Sequence, residues 1–247
     1  MAGTAAERQE TGVVKAITGV VKAINDTFRK NKRNPFTVAA GNTKINGVVG
    51  ARKYGGRQAT GSEPYTDVIL QLKNKKDVNL SLKGEAAPSL AGGGLRGLEL
   101  IVPGIANRFM KAAYDKLIEM GLKAGDKVPD VYGKIGKAHK EKIVVGTAAM
   151  GGPIDYMYIG PMDVRSSYDD EKNILNLNGN LTQSLEYAKS HELYFRLRAR
   201  REDQRFDPKA MQNNTHKIYG KSPSRGDSAG RIVVTDSVPA GAVTVKV

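Results

Sequence analysis

Two short apolar runs joined by a charged turn, within residues 63–99, constrain the fold of this chain more than any other stretch. The first run is VIL at residues 68–70, and the turn is KNKKD at residues 73–77. The second run, at residues 78–82, alternates apolar and polar residues, which is the pattern of a strand with one buried face. The sequence therefore predicts a β-hairpin.

The predicted hairpin brings three chemically capable side chains to one end. Ser81 and Lys83 are two residues apart at the end of the second strand, so they share a face and Leu82 points the other way. Asp67 stands near the start of the first strand. A carboxylate can hold a divalent metal ion, and an ammonium can stabilise an attacking hydroxide or the charge that grows on a phosphate. This end of the hairpin is therefore a candidate catalytic site.

The spacing of these residues resembles that of the PD-(D/E)XK nuclease superfamily. Pro64-x-x-Asp67 matches the PD element, and Ser81-x-Lys83 matches the (D/E)XK element. The resemblance covers roughly residues 40–110. It implies a restriction-endonuclease-like core, in which a mixed β-sheet is flanked by helices, and a metal-dependent nuclease that acts on DNA.

One position departs from the family pattern, because Ser81 stands where the family usually has an acid. In some members the acid has moved to the following helix and leaves S-x-K on the strand. Glu99 is the candidate for the migrated acid here, and Glu63 and Glu85 are alternatives that lie nearer in sequence.

The resemblance also implies a role for each residue of the site. Asp67 and Glu99 would bind Mg²⁺ (or Mn²⁺) together with the backbone carbonyl of Leu82. Lys83 would activate or orient the attacking water, and Ser81 would position a phosphate or a metal-bound water. Asp67, Ser81, Lys83 and Glu99 are thus the expected catalytic residues.

Net charge points to the same class of partner. The chain has 39 Lys and Arg against 25 Asp and Glu, a formal net charge of +14. Such an excess favours a polyanion, because each phosphate that is neutralised releases a counterion. We therefore expect DNA as the partner.

Other compositional features bear on the compartment. The sequence has no Cys, which excludes disulfides and thiolate metal sites. No apolar run approaches the ~20 residues of a membrane span, and the polar first residues do not have the pattern of a signal peptide. We expect no membrane partner and a cytoplasmic protein, or a virion component if it is phage-encoded. Assembly into a homo-oligomer or a virion stays open.

Residues expected to contact DNA fall in three stretches. The first is a predicted basic loop before the hairpin, and the second surrounds the glycine run at residues 92–94, where backbone N–H groups can approach a phosphate. In the third, YFRLRAR at residues 194–200, apolar residues alternate with arginines, which suit phosphate forks. The predicted nucleic-acid-binding residues are Arg52, Lys53, Arg57, Ser89, Gly93, Arg96, Arg196, Arg198 and Arg200.

The arginine segment has a second interpretation. Three guanidiniums on one face of a strand repel one another unless anions or carboxylates lie between them. Internal pairing with Glu202, Asp203 or Asp207 is the alternative to a nucleic-acid backbone.

The rest of the sequence completes one mixed α/β (α+β) domain over residues 1–247. TGVVKAI, repeated at residues 11–17 and 18–24, places its apolar residues on one stripe, which predicts an amphipathic helix after a frayed lead at residues 1–11. The nuclease-like core is expected at about residues 12–120.

A β-rich extension is expected at about residues 143–247. Further elements are predicted as follows: a helix at 105–120, a loop at 121–142, strands at 143–145 and 154–160, a helix at 181–190 capped by Thr182, and strands at 231–235 and 242–245 that could pair with the arginine strand.

A second class of function is compatible with the same residues. A non-catalytic nucleic-acid-binding structural protein, such as a phage head-completion, neck or other virion component, could carry a nuclease-like fold. The serine at position 81 favours this interpretation, since a fold can persist after its chemistry is lost. A ribosomal-type RNA binder fits less well, because Lys/Arg-rich tails are missing.

Overall fold

The computed structural model describes residues 5–28, 35–56, 64–85, 94–199, 202–213, 218–220, 223 and 231–247. The helices are α1 (Ala5–Phe28), α2 (Gly94–Ile101), α3 (Ile105–Glu119), α4 (Lys137–Val145), α5 (Ser184–Ser190) and α6 (Pro208–Asn213), with a short 3-10 helix at Ala148–Met150. The strands are β1 (Phe36–Ala40), β2 (Thr43–Lys53), β3 (Val68–Leu72), β4 (Val78–Gly84), β5 (Val131–Lys134), β6 (Tyr156–Gly160), β7 (Ser166–Asp169), β8 (Ile174–Leu177), β9 (Asn180–Gln183), β10 (Tyr194–Arg198), β11 (Arg231–Thr235) and β12 (Val243–Val245).

Packing divides the chain into two compact units that interleave along the sequence. Unit one comprises Met1–Arg57, Pro64–Pro88 and Val145–Tyr187, and unit two comprises Gln58–Glu63, Ser89–Val144 and Ala188–Val247. The predicted core at residues 12–120 therefore contributes to both units. Each unit has its own mixed sheet, so the mixed α/β class predicted from the sequence is confirmed at that level.

Unit one is built on an eight-stranded sheet with the order β7-β8-β1-β2-β3-β4-β6-β9. Strands β2, β3 and β4 form an antiparallel meander, and β6 then pairs in parallel with β4. The predicted hairpin is confirmed, with Val68 opposite Leu80 and Leu70 opposite Val78. Asn74 in its turn has a φ of 57°, a left-handed conformation that asparagine tolerates.

Helix α1 covers one face of this sheet with the stripe that the repeat predicts. Val13, Ile17 and Val20 are buried in a cluster with strand residues such as Val48 and Leu70. Lys15 is exposed, as expected for the polar side of an amphipathic helix.

The helix begins at Ala5, so the predicted frayed lead is wrong from residue 5 onward. The reason is Gln9, whose side chain is buried. Its Nε2 donates hydrogen bonds to the backbone carbonyls of Lys83 at 3.1 Å and Gly160 at 3.0 Å. These bonds join the first turns of α1 to the ends of β4 and β6. They therefore stabilise helix in the polar segment that precedes the apolar stripe.

Unit two is built on a four-stranded sheet with the order β11-β10-β5-β12, in which β5 and β12 are parallel. Phe109 of α3 packs on this sheet, with its ring centroid 5.3 Å from that of Phe195. Gly133 in β5 makes the approach possible, because a Cβ at that position would lie 2.8 Å from the Phe109 ring.

The predicted loop at residues 121–142 and strand at 143–145 are wrong. The segment contains β5, a strand of four residues, and α4, which continues to Val145. The strand is too short to show a period, and it forms because β10 and β12 pair with its two edges. The apolar residues Ile143 and Val144 are buried at the end of a helix, where a short apolar run does not distinguish helix from strand.

Two smaller predictions, one about a helix cap and one about a strand pairing, are also wrong. Thr182 does not cap a helix but lies in β9, paired with Met157, and α5 starts two residues later at Ser184. Strand β11 pairs with β10 as expected, whereas β12 pairs with β5 instead. Both errors arise because strand partners are set by distant segments of the chain.

We predict that Gln9→Met lowers the free energy of unfolding by about 1–3 kcal/mol, because it leaves two buried carbonyls without their donor. Urea denaturation with an unchanged m-value is the measurement. Lys15→Met, the same residue introduced at an exposed position of α1, is the control and should have a much smaller effect. Equal stability of the two variants would contradict the anchoring role of Gln9.

Candidate functional site

The backbone that leads into Asp67 is fixed by hydrogen bonds. The Tyr65 N–H donates to the Met150 carbonyl at 2.8 Å, and the buried Thr66 donates its hydroxyl to the Gly151 carbonyl at 2.6 Å. The Asp67 N–H itself donates to the Leu80 carbonyl of β4 at 2.8 Å. Asp67 is therefore held at the start of β3 before its side chain makes any contact.

The Asp67 carboxylate lies on the face of β4 that carries Ser81 and Lys83. Its Oδ2 accepts hydrogen bonds from the Leu82 N–H at 2.6 Å and from the Ser81 hydroxyl at 3.2 Å. Because side chains alternate along a strand, Lys83 shares the face of Ser81. The structure thus brings Asp67 into contact with Ser81, and the charge of Lys83 acts on the Asp67 carboxylate.

Burial raises the pKa of Asp67 above its ordinary value and is the largest influence on it. The Lys83 ammonium, the Leu82 N–H and the Ser81 hydroxyl lower this pKa, while the negative charge of Glu10 raises it. Ionising the carboxylate in this environment costs free energy. A divalent cation beside it would offset that cost, since a bound ion is the largest local charge in such a site.

Glu10 is an acid near this site that the motif does not contain. It lies in the second turn of α1, and its carboxylate pairs with the Lys53 ammonium at 3.3 Å. A signal for it exists in the sequence. Extending the apolar stripe back one turn from Val13 reaches Gln9, which places the start of the helix against the sheet and Glu10 beside it.

Glu99 belongs to unit two, where its carboxylate caps the start of α3. Its Oε2 accepts from the Gly104 N–H at 2.5 Å, and its Oε1 accepts from the Asn107 N–H at 3.0 Å. A carboxylate is favoured there by the unpaired N–H groups and the helix dipole. Capping accounts for Glu99 in structural terms, and its role as a metal ligand stays a prediction.

Of the two alternative acids, the structure describes only Glu85. Glu85 is exposed just after β4, and burial together with the charge of Glu85 raises the pKa of Tyr158 to about 12. Glu63 lies outside the described residues. Glu85 is not among the charges that shift the pKa of Asp67.

The residues predicted to bind nucleic acid are only partly described. Arg57, Ser89, Gly93 and Arg200 lie outside the described residues. Arg52 and Lys53 do not form a loop but end β2, because that strand continues in register with β3 as far as Lys53 opposite Val68. Arg52 is exposed, and so is Arg96 in the first turn of α2.

The arginine strand is confirmed as β10, with Phe195 and Leu197 buried beneath it. Arg196 pairs internally, but with Asp130 rather than with a carboxylate that follows it in sequence. Its Nε and Nη2 lie 2.8 Å and 2.5 Å from Asp130 Oδ2, and the guanidinium stands 5.9 Å from the Tyr132 ring centroid. Both partners come from the neighbouring strand β5 or its approach, which sequence distance conceals.

Comparisons of the chain with protein-family models, with curated proteins and with solved structures each found no significant match. Within the described ranges, no helix is long and apolar enough to cross a membrane. The same residues contain no group of three or more His, Cys, Asp or Glu that could hold a metal ion.

We predict that Asp67→Asn raises the melting temperature at about pH 7. The folded protein holds the Asp67 proton more tightly than the unfolded chain, so stability from this group is full at low pH. This contribution to stability is lost as the pH rises from the ordinary pKa of the unfolded chain through the raised pKa of the folded protein. Asparagine keeps the size and an oxygen acceptor without ionising, so its advantage should vanish as pH falls to about 4.

Thermal melts of both proteins across this pH range provide the measurement. Asp115→Asn, the same change at an exposed position of α3, is the control for the substitution itself. A difference between wild type and Asp67→Asn that does not vary with pH would show that burial does not perturb the carboxyl.

Proposed function

We propose that this chain is a metal-dependent nuclease-like protein that acts on DNA phosphodiesters. The observation that carries the proposal is the contact of Asp67 with Ser81 on the face of β4 that also bears Lys83. An acid that can hold a cation and an ammonium that can stabilise a phosphate or a hydroxide are the two parts that phosphodiester hydrolysis requires.

The order of elements in unit one supports the proposal. Helix α1 precedes the antiparallel meander β2-β3-β4, and β6 follows in parallel beside β4. This arrangement agrees with the restriction-endonuclease-like core that the PD-(D/E)XK resemblance implies. Asp67 lies just before β3, and Lys83 lies in β4.

The oxygen atoms around Asp67 fit Mg²⁺ or Mn²⁺, which prefer hard ligands. Asp67 Oδ2 is fixed by two donors, the Leu82 N–H and the Ser81 hydroxyl. The N–H and C=O of one residue point to the same edge of a strand, so the Leu82 carbonyl lies on the Asp67 side. Glu10 offers a second carboxylate. When bound, the ion would neutralise phosphate charge and lower the pKa of its water.

Residues of the chain would perform the remaining steps of the proposed hydrolysis. The Lys83 ammonium would orient the attacking water and stabilise charge on the phosphate in a partly desolvated position, where electrostatic effects are strong. Ser81 donates its hydroxyl to Asp67 Oδ2 and so holds the acid in place. Glu10 would exchange its ion pair with Lys53 for the metal, which leaves Lys53 free to meet DNA.

A second candidate, favoured by Ser81, is a non-catalytic nucleic-acid-binding structural protein such as a phage head-completion, neck or other virion component. The Ser81 hydroxyl donates a hydrogen bond to Asp67 Oδ2. At the position of Ser81 the family usually has a second carboxylate. A site with fewer negative charges binds a divalent ion less tightly, so the same fold could persist as a scaffold.

We predict that Lys83→Ala lowers nicking of plasmid DNA by at least about 100-fold, the scale of losing one electrostatic contact to the transition state. DNA affinity should change little, because Lys83 is one of 39 basic residues. Nicking in the presence of Mn²⁺, with EDTA as the negative control, measures the first quantity, and fluorescence anisotropy measures the second.

Lys75→Ala, which removes an exposed lysine from the turn of the same hairpin, is the matched control and should cut like wild type. A wild-type protein that binds DNA yet never cuts it, across metals and substrates, would overturn the enzyme and leave the structural binder.

We predict that Glu10→Gln raises the Mn²⁺ concentration for half-maximal nicking by at least about tenfold, because a carboxylate near the ion is lost. Glu99→Gln should leave that concentration unchanged and instead lower stability by about 1 kcal/mol through its cap. The reverse pattern would identify Glu99 as the second acid, as the family resemblance implies.

A further inference from the structure

Unit two contains a cleft of about 920 Å³ that no part of the proposed hydrolysis uses. Five cationic side chains line it, and only two carboxylates, those of Asp130 and Glu202, accompany them. The cations are Lys127, Arg196, Arg198, Arg205 and Arg231. We call this feature the arginine cleft. Its volume is in the range of pockets that bind ligands rather than single waters.

Two of these arginines face each other directly across a strand pair. Arg198 of β10 is the register partner of Arg231 of β11. Like charges directly opposite on antiparallel strands repel each other and destabilise the pairing. Such a pair needs anionic compensation, and neither guanidinium has an ion pair or hydrogen bond with another of the described residues.

Two of the other arginines of the cleft already have partners. Arg196 is held by Asp130 at 2.5 Å, and Arg205 donates to the backbone carbonyls of Glu202 at 2.7 Å and Gln204 at 3.0 Å. In contrast, the Nε of Arg198 is buried and has no hydrogen-bond partner among the described residues. A buried donor of a charged group without an acceptor is costly. An anion in the cleft would supply that acceptor.

We infer that Arg198 and Arg231 together bind phosphate groups of a nucleic-acid backbone. Arginine forks match phosphate oxygens in geometry, and two of them side by side can clamp one phosphate. Phosphates also occur in free nucleotides, but a nucleotide site usually offers its base a ring or an apolar surface. Among the described residues that line the cleft there is no aromatic side chain to stack a base.

The choice of nucleic acid rests on the proposed function, whereas the phosphate site rests on the two arginines. The test measures binding and not cleavage. The variants are Arg198→Gln and Arg231→Gln, and the probes are a fluorescein-labelled 20-base-pair DNA duplex and inorganic pyrophosphate. Arg108→Gln, an exposed arginine of α3 outside the cleft, is the matched control.

Each cleft variant should weaken duplex binding about tenfold. It should also reduce the slope of log affinity against log salt by about one, the loss of one phosphate contact. Arg108→Gln should leave the slope unchanged. Each cleft variant should melt at the same temperature as wild type or higher, because a repulsion is removed, whereas a structural role for the arginines would lower it.

Unchanged slopes in both cleft variants, or an equal loss in Arg108→Gln, would overturn the inference. Tight binding of pyrophosphate without binding of the duplex would overturn the assignment to a nucleic-acid strand. If plasmid nicking fails while the salt slopes fall as expected, the proposed nuclease is wrong and the phosphate site stands.

Discussion

Strand β4 is paired on both edges, antiparallel with β3 and parallel with β6, and this double pairing sets the geometry of the candidate site. It fixes which face each residue of β4 occupies: Leu80 and Leu82 lie in the core beneath α1, and Ser81 and Lys83 face the other way. The Leu82 N–H of β4 donates to the Asp67 carboxylate, just before β3 begins. A side-chain oxygen therefore takes the place that a backbone carbonyl has in a regular strand pair. One hydrogen bond therefore completes the sheet and orients the acid.

The two clusters of charge in this protein are incompletely compensated in opposite senses. At the hairpin, burial makes the ionised form of Asp67 costly despite the neighbouring Lys83. In the arginine cleft, Arg198 lies opposite Arg231, and the Nε of Arg198 is buried without a hydrogen-bond partner among the described residues. Proteins keep such imbalances where a ligand supplies the missing charge. A divalent cation would supply the missing charge at the hairpin, and a phosphate would supply it in the arginine cleft.

The sequence predicted the elements whose signal is local and missed those that depend on distant partners. Period-two alternation located the β3–β4 hairpin and the arginine strand β10, and the helical stripe located α1. Nothing local marks Asp130 as the partner of Arg196, since 66 residues separate them. Glu10 was missed because the turn that carries it is held by Gln9, a buried polar residue whose side chain donates to backbone carbonyls of Lys83 and Gly160. Four residues of β5 could not show a period at all.

The parallel pairing of β4 with β6 has a consequence for folding. Leu80 lies opposite Tyr156, and most of the chain between them belongs to unit two. The crossover that parallel strands require is here a segment from the other unit rather than one helix. Closing so long a loop has an entropic cost before the pairing compensates it, and high contact order slows folding. The strand that carries Ser81 and Lys83 therefore acquires its last neighbour late, so the geometry of the candidate site is expected to form after the local hairpin.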